Sequence, residues 1–234
     1  MKRIAVFCGS KMPELPIYRD EAIRLATYFS HHGIQLIYGG AKVGIMGLLA
    51  DTMLQEGGYV IGVMPKVLAD KEILHEGLSE SILVKDMHER KALMMDMADG
   101  FIAFPGGCGT MEEIFEVITW NQIGIHNKPY GFLNINHYYD GIQTYLDTAA
   151  NVGFSSHEQI DCIIFESNFD AFIRQMEAKL MDSKFGFEQK KTESIELSFF
   201  SRVQALIADV IDMEHHSLDH NVDHHCLQIL SQSS

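Results

Sequence analysis

Glu112 and Glu113 stand directly behind a run of glycines, Gly106, Gly107 and Gly109, in the stretch FIAFPGGCGTMEEIFEVITWNQIG at residues 101–124. The stretch reads as a buried strand passing through a glycine loop into a helix. Glycines let backbone N–H groups approach an anion closely, and a helix N-terminus adds matching positive potential. A phosphate cradle would not by itself gain from neighbouring carboxylates, which repel the ligand, so at least one of the two acids is expected to take part in chemistry. The local pattern also admits a purely structural reading. Thr110-Met111-Glu112-Glu113 fits the S/T-x-x-E capping box, in which the two end residues satisfy each other's backbone N–H groups at a helix start.

A second cluster lies upstream. KDMHERKALMMDMADG at 85–100 places Arg90 and Lys91 in the opening turn of a helix expected to run to about Ala98. Cations there face the positive end of the helix dipole, an unfavourable placement that a bound anion would reverse. The alternative is a pair of solvated surface charges balanced by Asp86 and Glu89. Arg90 is the stronger candidate, because a planar guanidinium holds phosphate or carboxylate through two bonds. His88 is read as a capping or surface residue. Two further loops close strands: CGS at 8–10, with Ser10, and YGGAKVGIMG at 38–47, with Gly39, Gly40 and Met46 as candidate ligand contacts. Close strand-to-helix packing also selects glycine. The second loop lacks the Lys-Ser/Thr of a Walker A loop and the G-x-G-x-x-G of dinucleotide folds.

The elements that must position these residues are short apolar runs alternating with helical patterns. The runs fall at 4–10, 35–40, 59–65, 81–86, 100–106, 129–134 and 162–167. This alternation predicts a Rossmann-like α/β fold, a doubly wound, mostly parallel sheet of about seven strands with helices on both faces. Ligands then bind beyond the carboxyl ends of the strands, where the glycine loops fall. The chain has 234 residues, 47% hydrophobic, with a net charge of −14. That charge argues against a nucleic-acid polymer as partner. No segment approaches the apolar length of a membrane span, and the four scattered cysteines show no CxxC pairing; a cytoplasmic protein with free thiols is expected.

MHERK at 87–91, PGGCGTMEE at 105–113 and EVITWNQIGIHNKP at 116–129, with VFCGS and YGGAKVGIMG, resemble the LOG (Lonely Guy) family over roughly residues 1–180. The resemblance implies a phosphoribohydrolase that cleaves the N-glycosidic bond of nucleoside 5′-monophosphates, cytokinin riboside monophosphates or AMP, to free base and ribose 5-phosphate. It places the catalytic pair on Arg90 and Glu113. It places substrate contacts on Glu72, Arg90, Lys91, Pro105, Gly106, Gly107, Cys108, Gly109, Thr110, Met111 and Thr119. It implies no cofactor and an assembly of at least a homodimer. The older family label, lysine decarboxylase, is rejected, since no lysine stands in the glycine-loop constellation. Cys108 fills a variable position of the motif and reads as a spacer.

The helix carrying Glu113 presents Phe115, Val117, Ile118 and Trp120 on more than one face, a surplus that a subunit contact would cover. Domain 1–185 is thus expected to hold the site, and 186–234 to form a helical extension with a histidine-rich tail. His216, His220 and His224 recur every fourth residue, a weak candidate metal site; the preferred reading is a polar tail, with no metal in the reaction. A non-catalytic nucleotide-binding sensor or carrier on the same fold is the alternative function.

Overall fold

A computed structural model of the chain describes residues 2–69 and 73–181. The described residues all fall in the first of the chain's two units, 1–183; the second, 184–234, lies outside them. The expected extension at 186–234, the candidates His216, His220 and His224, and Glu72 are therefore outside the described residues.

Seven strands form: β1 (Arg3–Phe7), β2 (Gln35–Tyr38), β3 (Val60–Pro65), β4 (Glu80–Val84), β5 (Gly100–Ala103), β6 (Tyr130–Leu133) and β7 (Ile164–Glu166). Between them run α1 (Pro16–His31), α2 (Gly44–Gln55), α3 (Lys66–Ala69), α4 (Met87–Met97), α5 (Cys108–Gln122), α6 (Asp140–Asn151) and α7 (His157–Asp161), and residues 169–181 are helical after β7. The strand order is β4-β3-β2-β1-β5-β6-β7. Every pairing is parallel, so the expected mostly parallel sheet is wholly so.

The strands read as unbroken apolar runs because both of their faces are covered. Ile4, Val6, Ile102 and Phe104 point into one core with α1 and α2. Ala5, Phe7, Phe101 and Ala103 point into the other with α4, α5 and α6. Alternate residues serve opposite faces, the period of two expected of a strand. In α1, Pro16 occupies the first turn, where its missing N–H costs nothing, and Tyr18, Ala22, Leu25, Ala26 and Phe29 form the buried stripe.

The chain winds outward from β1 to β4, then returns to the other side of β1 to lay down β5, β6 and β7. Neighbouring connections therefore leave in opposite directions at β1 and β5, and a crevice opens beyond their carboxyl ends. Cys8-Gly9-Ser10 and Pro105-Gly106-Gly107 face one another across it. A Cβ on Gly106 would lie 2.8 Å from the Gly9 nitrogen and collide with the Thr110 hydroxyl, so this approach requires glycine. Among the described residues no helix is long and apolar enough to cross a membrane.

Candidate active site

The switch-point crevice is a cleft of about 660 Å³. Its walls come from the loops after β1, β2, β3 and β5, the first turns of α4 and α5, and the turn after β6. Met64, Leu68, Ile73 and Met87 make part of it apolar, while Ser10, Lys11, Thr110 and Tyr138 make part of it polar.

The α4 start is fixed locally. Asp86 accepts a hydrogen bond from the Glu89 N–H at 2.9 Å, and Glu89 accepts one from the Lys85 N–H at 2.7 Å. Those two acids are thereby occupied with backbone, and they do not balance Arg90 and Lys91 as a solvated surface pair. Both cations are instead buried. Arg90 Nη2 lies 3.0 Å from Glu113 Oε1, and the two residues are each 8% exposed. Lys91 Nζ pairs with Glu112 and, at 2.9 Å, with Glu116. Helix α4 is thus clamped to α5 by two adjacent cations making three cation–carboxylate contacts. The expectation that these cations wait for an anionic ligand is corrected in part: the acids of α5 already supply counter-charge.

The capping-box reading of Thr110 and Glu113 also gives way. The residue before the first helical turn of α5 is Gly107, with no side-chain cap, and Thr110 lies inside the helix. Its hydroxyl is buried without a hydrogen-bond partner and lines the cleft. Glu113 turns toward Arg90. Burial pushes the Glu113 carboxyl above the ordinary carboxylate range, an effect that Arg90 opposes and Glu112 reinforces. Arg90 Nε is likewise buried and unpartnered, while Nη1 contacts the Met87 sulfur at 3.7 Å. A buried carboxylate with an arginine at its side and an unpartnered hydroxyl one turn earlier is an arrangement with capacity to spare for a ligand.

Arg90, Glu113, Pro105, Gly106, Gly107, Cys108, Gly109, Thr110, Ser10, Gly39 and Met46 all reach the cleft. Four sequence candidates do not line it. Gly40 lies beside it with φ at +81°, Lys91 is committed to Glu112 and Glu116, and Met111 packs on the second core. Thr119 is on the exposed side of α5, its hydroxyl donating to the Phe115 carbonyl at 2.8 Å. Sequence reasoning missed Cys8, Lys11, Tyr18 and Tyr138. Cys8 had a signal, since it begins the loop that was singled out; burial raises its thiol pKa, with the charge of Glu113 adding to the effect. Among the described residues, Cys8, Cys108 and Cys162 are free, and no group of side chains is arranged to hold a metal ion.

A doubly wound parallel sheet whose switch point opens onto a glycine loop, a helix N-terminus and a buried arginine–glutamate pair defines a Rossmann-like α/β protein with a candidate ligand crevice at that switch point. A family model described as possible lysine decarboxylase matches residues 46–176. The chain is 46% identical over 176 residues to the cytokinin riboside 5′-monophosphate phosphoribohydrolase LOG7 of Arabidopsis thaliana, covering 75% of this chain and 81% of that one. It is 44% identical to LOG2 of the same plant, over 75% and 83% of the two chains. The chain belongs to this family, the LOG family. Among solved structures, the molybdenum cofactor binding protein of Rippkaea orientalis shares the fold, with a TM-score of 0.57 at 20% identity over 76% of this chain and 96% of that one. The Moco carrier protein of Chlamydomonas reinhardtii does so with a TM-score of 0.58 at 18% identity, over 77% and 98%.

The decarboxylase description implies pyridoxal phosphate on a free lysine amine. The residues do not fit that group. Lys91 is held charged, its pKa raised chiefly by the hydrogen bond to Glu112, and the lysine that lines the cleft, Lys11, is exposed.

Proposed function

We propose that this chain hydrolyses the N-glycosidic bond of nucleoside 5′-monophosphates, of the cytokinin riboside or adenosine type, to free base and ribose 5-phosphate. The observation that carries the reading is the buried Arg90–Glu113 pair, 3.0 Å apart, opening onto the same cleft as the Gly106–Thr110 loop. The names of the relatives, at 46% and 44% identity, support the same reaction.

The α5 N-terminus and the Thr110 hydroxyl bind the 5′-phosphate, which fixes the ribose over the pair. As the C1′–N bond breaks, its electron pair leaves with the base and the ribose becomes oxocarbenium-like. The Glu113 carboxylate stabilises that charge and takes a proton from the water that adds to C1′; the base acquires a proton as it departs. Arg90 holds Glu113 ionised in spite of its burial and orients it. The raised pKa makes Glu113 a better base than an exposed carboxylate. Glu72 is assigned to base or ribose. Lys91 serves the site indirectly, by offsetting Glu112 and Glu116 beside Glu113.

The protein acts in the cytoplasm as at least a homodimer. Half-buried Phe115 and Trp120 and exposed Ile123 and Ile125 support an α5-based contact. Thr119, outside the cleft of its own protomer, reaches a nucleotide only across that contact.

The test is release of ribose 5-phosphate and free base from a panel including AMP and isopentenyladenosine monophosphate, by wild type and Glu113→Gln. Glutamate-dependent release is expected. Nucleotide binding without release would favour the sensor or carrier.

A further inference from the structure

Two consecutive tyrosines after β6 reach back to the end of β5. Tyr139 donates its hydroxyl hydrogen to the Phe104 carbonyl at 2.8 Å, and Tyr138 donates to the Gly106 carbonyl at 2.7 Å. Tyr139 is 1% exposed and Tyr138 is 46% exposed and lines the cleft. The turn that aims them is strained. Asn136 and His137 have φ of 51° and 60°, the positive-φ non-glycine residues among those described. Such strain persists where surrounding contacts over-determine it. Here Asn134 does so: its side chain accepts from the Tyr139 N–H at 2.7 Å and donates to Asp140 at 2.8 Å. Tyr138 is further set edge-on against Tyr18 at 5.9 Å.

The bond to the Gly106 carbonyl also governs the neighbouring Gly107 N–H. The Gly106–Gly107 peptide is planar and trans, so fixing its carbonyl fixes that N–H pointing the opposite way. A peptide between two glycines flips readily, since neither residue has a Cβ to oppose the new dihedrals. A flip would replace a donor at the head of α5 with a carbonyl oxygen, which repels an anion. We propose that Tyr138 is a positioning residue for phosphate recognition, its hydroxyl pinning the Gly106–Gly107 peptide in the donor-presenting orientation at the α5 N-terminus. This rests on the phosphate assignment made under the proposed function.

The flip also supplies its own control. It would carry the φ of Gly107 from −91° to the positive region, which alanine disfavours, while a Cβ at Gly107 meets no atom within 4 Å. Gly107→Ala should therefore hold the peptide where Tyr138 no longer does.

Tyr138→Phe is expected to raise KM for AMP and the inhibition constant of inorganic phosphate together, by roughly fivefold for one lost hydrogen bond, with kcat nearly unchanged. Gly107 itself lines the cleft, so Gly107→Ala alone is the reference, and in that background Tyr138→Phe should change neither constant much. An unchanged phosphate constant in Tyr138→Phe, or an equal loss when Tyr138→Phe is made in the Gly107→Ala background, overturns the proposal. Should the wild-type chain hydrolyse no nucleotide, the activity reading fails, while calorimetric titration of AMP and inorganic phosphate into the same variants still decides the role of Tyr138.

Discussion

Gly39→Ala tests whether Arg90 must touch Glu113. A Cβ at Gly39 would overlap Arg90 Nη2 and the Met46 terminal methyl and lie 3.3 Å from Arg90 Cζ. Ordinary contact needs about 3.5–4.0 Å, so Nη2 must retreat by roughly 1 Å or more. Nη2 is the atom 3.0 Å from Glu113 Oε1, and such a retreat breaks the hydrogen bond. A hydrogen bond to a charged group contributes about 1.5–3 kcal/mol. At about 1.4 kcal/mol per decade, the loss corresponds to a kcat roughly 10- to 150-fold lower. Both displaced groups are the far ends of flexible side chains, so the protein should still fold, its melting temperature lowered by no more than the loss of that one hydrogen bond. The retreat of Arg90, which opposes the effect of burial on Glu113, should also shift the acid limb of the rate profile to higher pH. The assay is ribose 5-phosphate release across pH, beside a thermal melt, in wild type, Gly39→Ala, Glu113→Gln and the double variant. In the Glu113→Gln background the alanine should add almost nothing. A folded Gly39→Ala protein with kcat within threefold of wild type and an unmoved acid limb would show that the Arg90–Glu113 contact is dispensable.

Glu113→Gln should lower kcat by roughly 100- to 10,000-fold, the range for a positioned general base, with nucleotide affinity by calorimetry largely kept. In wild type, burial places the folded-state pKa of Glu113 above the ordinary 4.5. The carboxylate is needed for turnover, so the rate should fall as pH drops through that raised value. Stability linked to this group runs the other way: it is fully present below the unfolded-state pKa and declines as pH rises through the folded one. Melting curves over that interval should show the slope, and Glu113→Gln should abolish it. Gly44→Ala should destabilise the fold by several kcal/mol in chemical denaturation, because Gly44 has a φ of +61° and its Cβ would strike the Ser10 backbone.

Several features were legible in the chain because they arise from local chemistry. A strand buried on both faces must be apolar throughout, so β1, β3, β5 and β6 announced themselves, and their alternation with helices fixed the class. Glycines at strand ends marked the loops, and the acids after Gly109 marked the helix that carries them. The strand order was not legible, since parallel strands pair through long crossovers whose destination no local pattern records; it is this order that sets the loops after β1 and β5 against each other. Nor was the direct contact of Glu113 with Arg90, although the resemblance had named both. Thr110 and Glu113 match a capping box in sequence, but a buried carboxylate needs a counter-charge more than a helix start needs a side-chain cap, and only the packing of α4 on α5 brings Arg90 within reach. Lys91, expected among the substrate contacts, lies outside the cleft lining for the same reason, drawn to Glu112 and Glu116. Tyr138 gave no signal at all: its role depends on two non-glycine residues held at positive φ and on a carbonyl far away in sequence, and such a turn is imposed by the tertiary contacts that surround it.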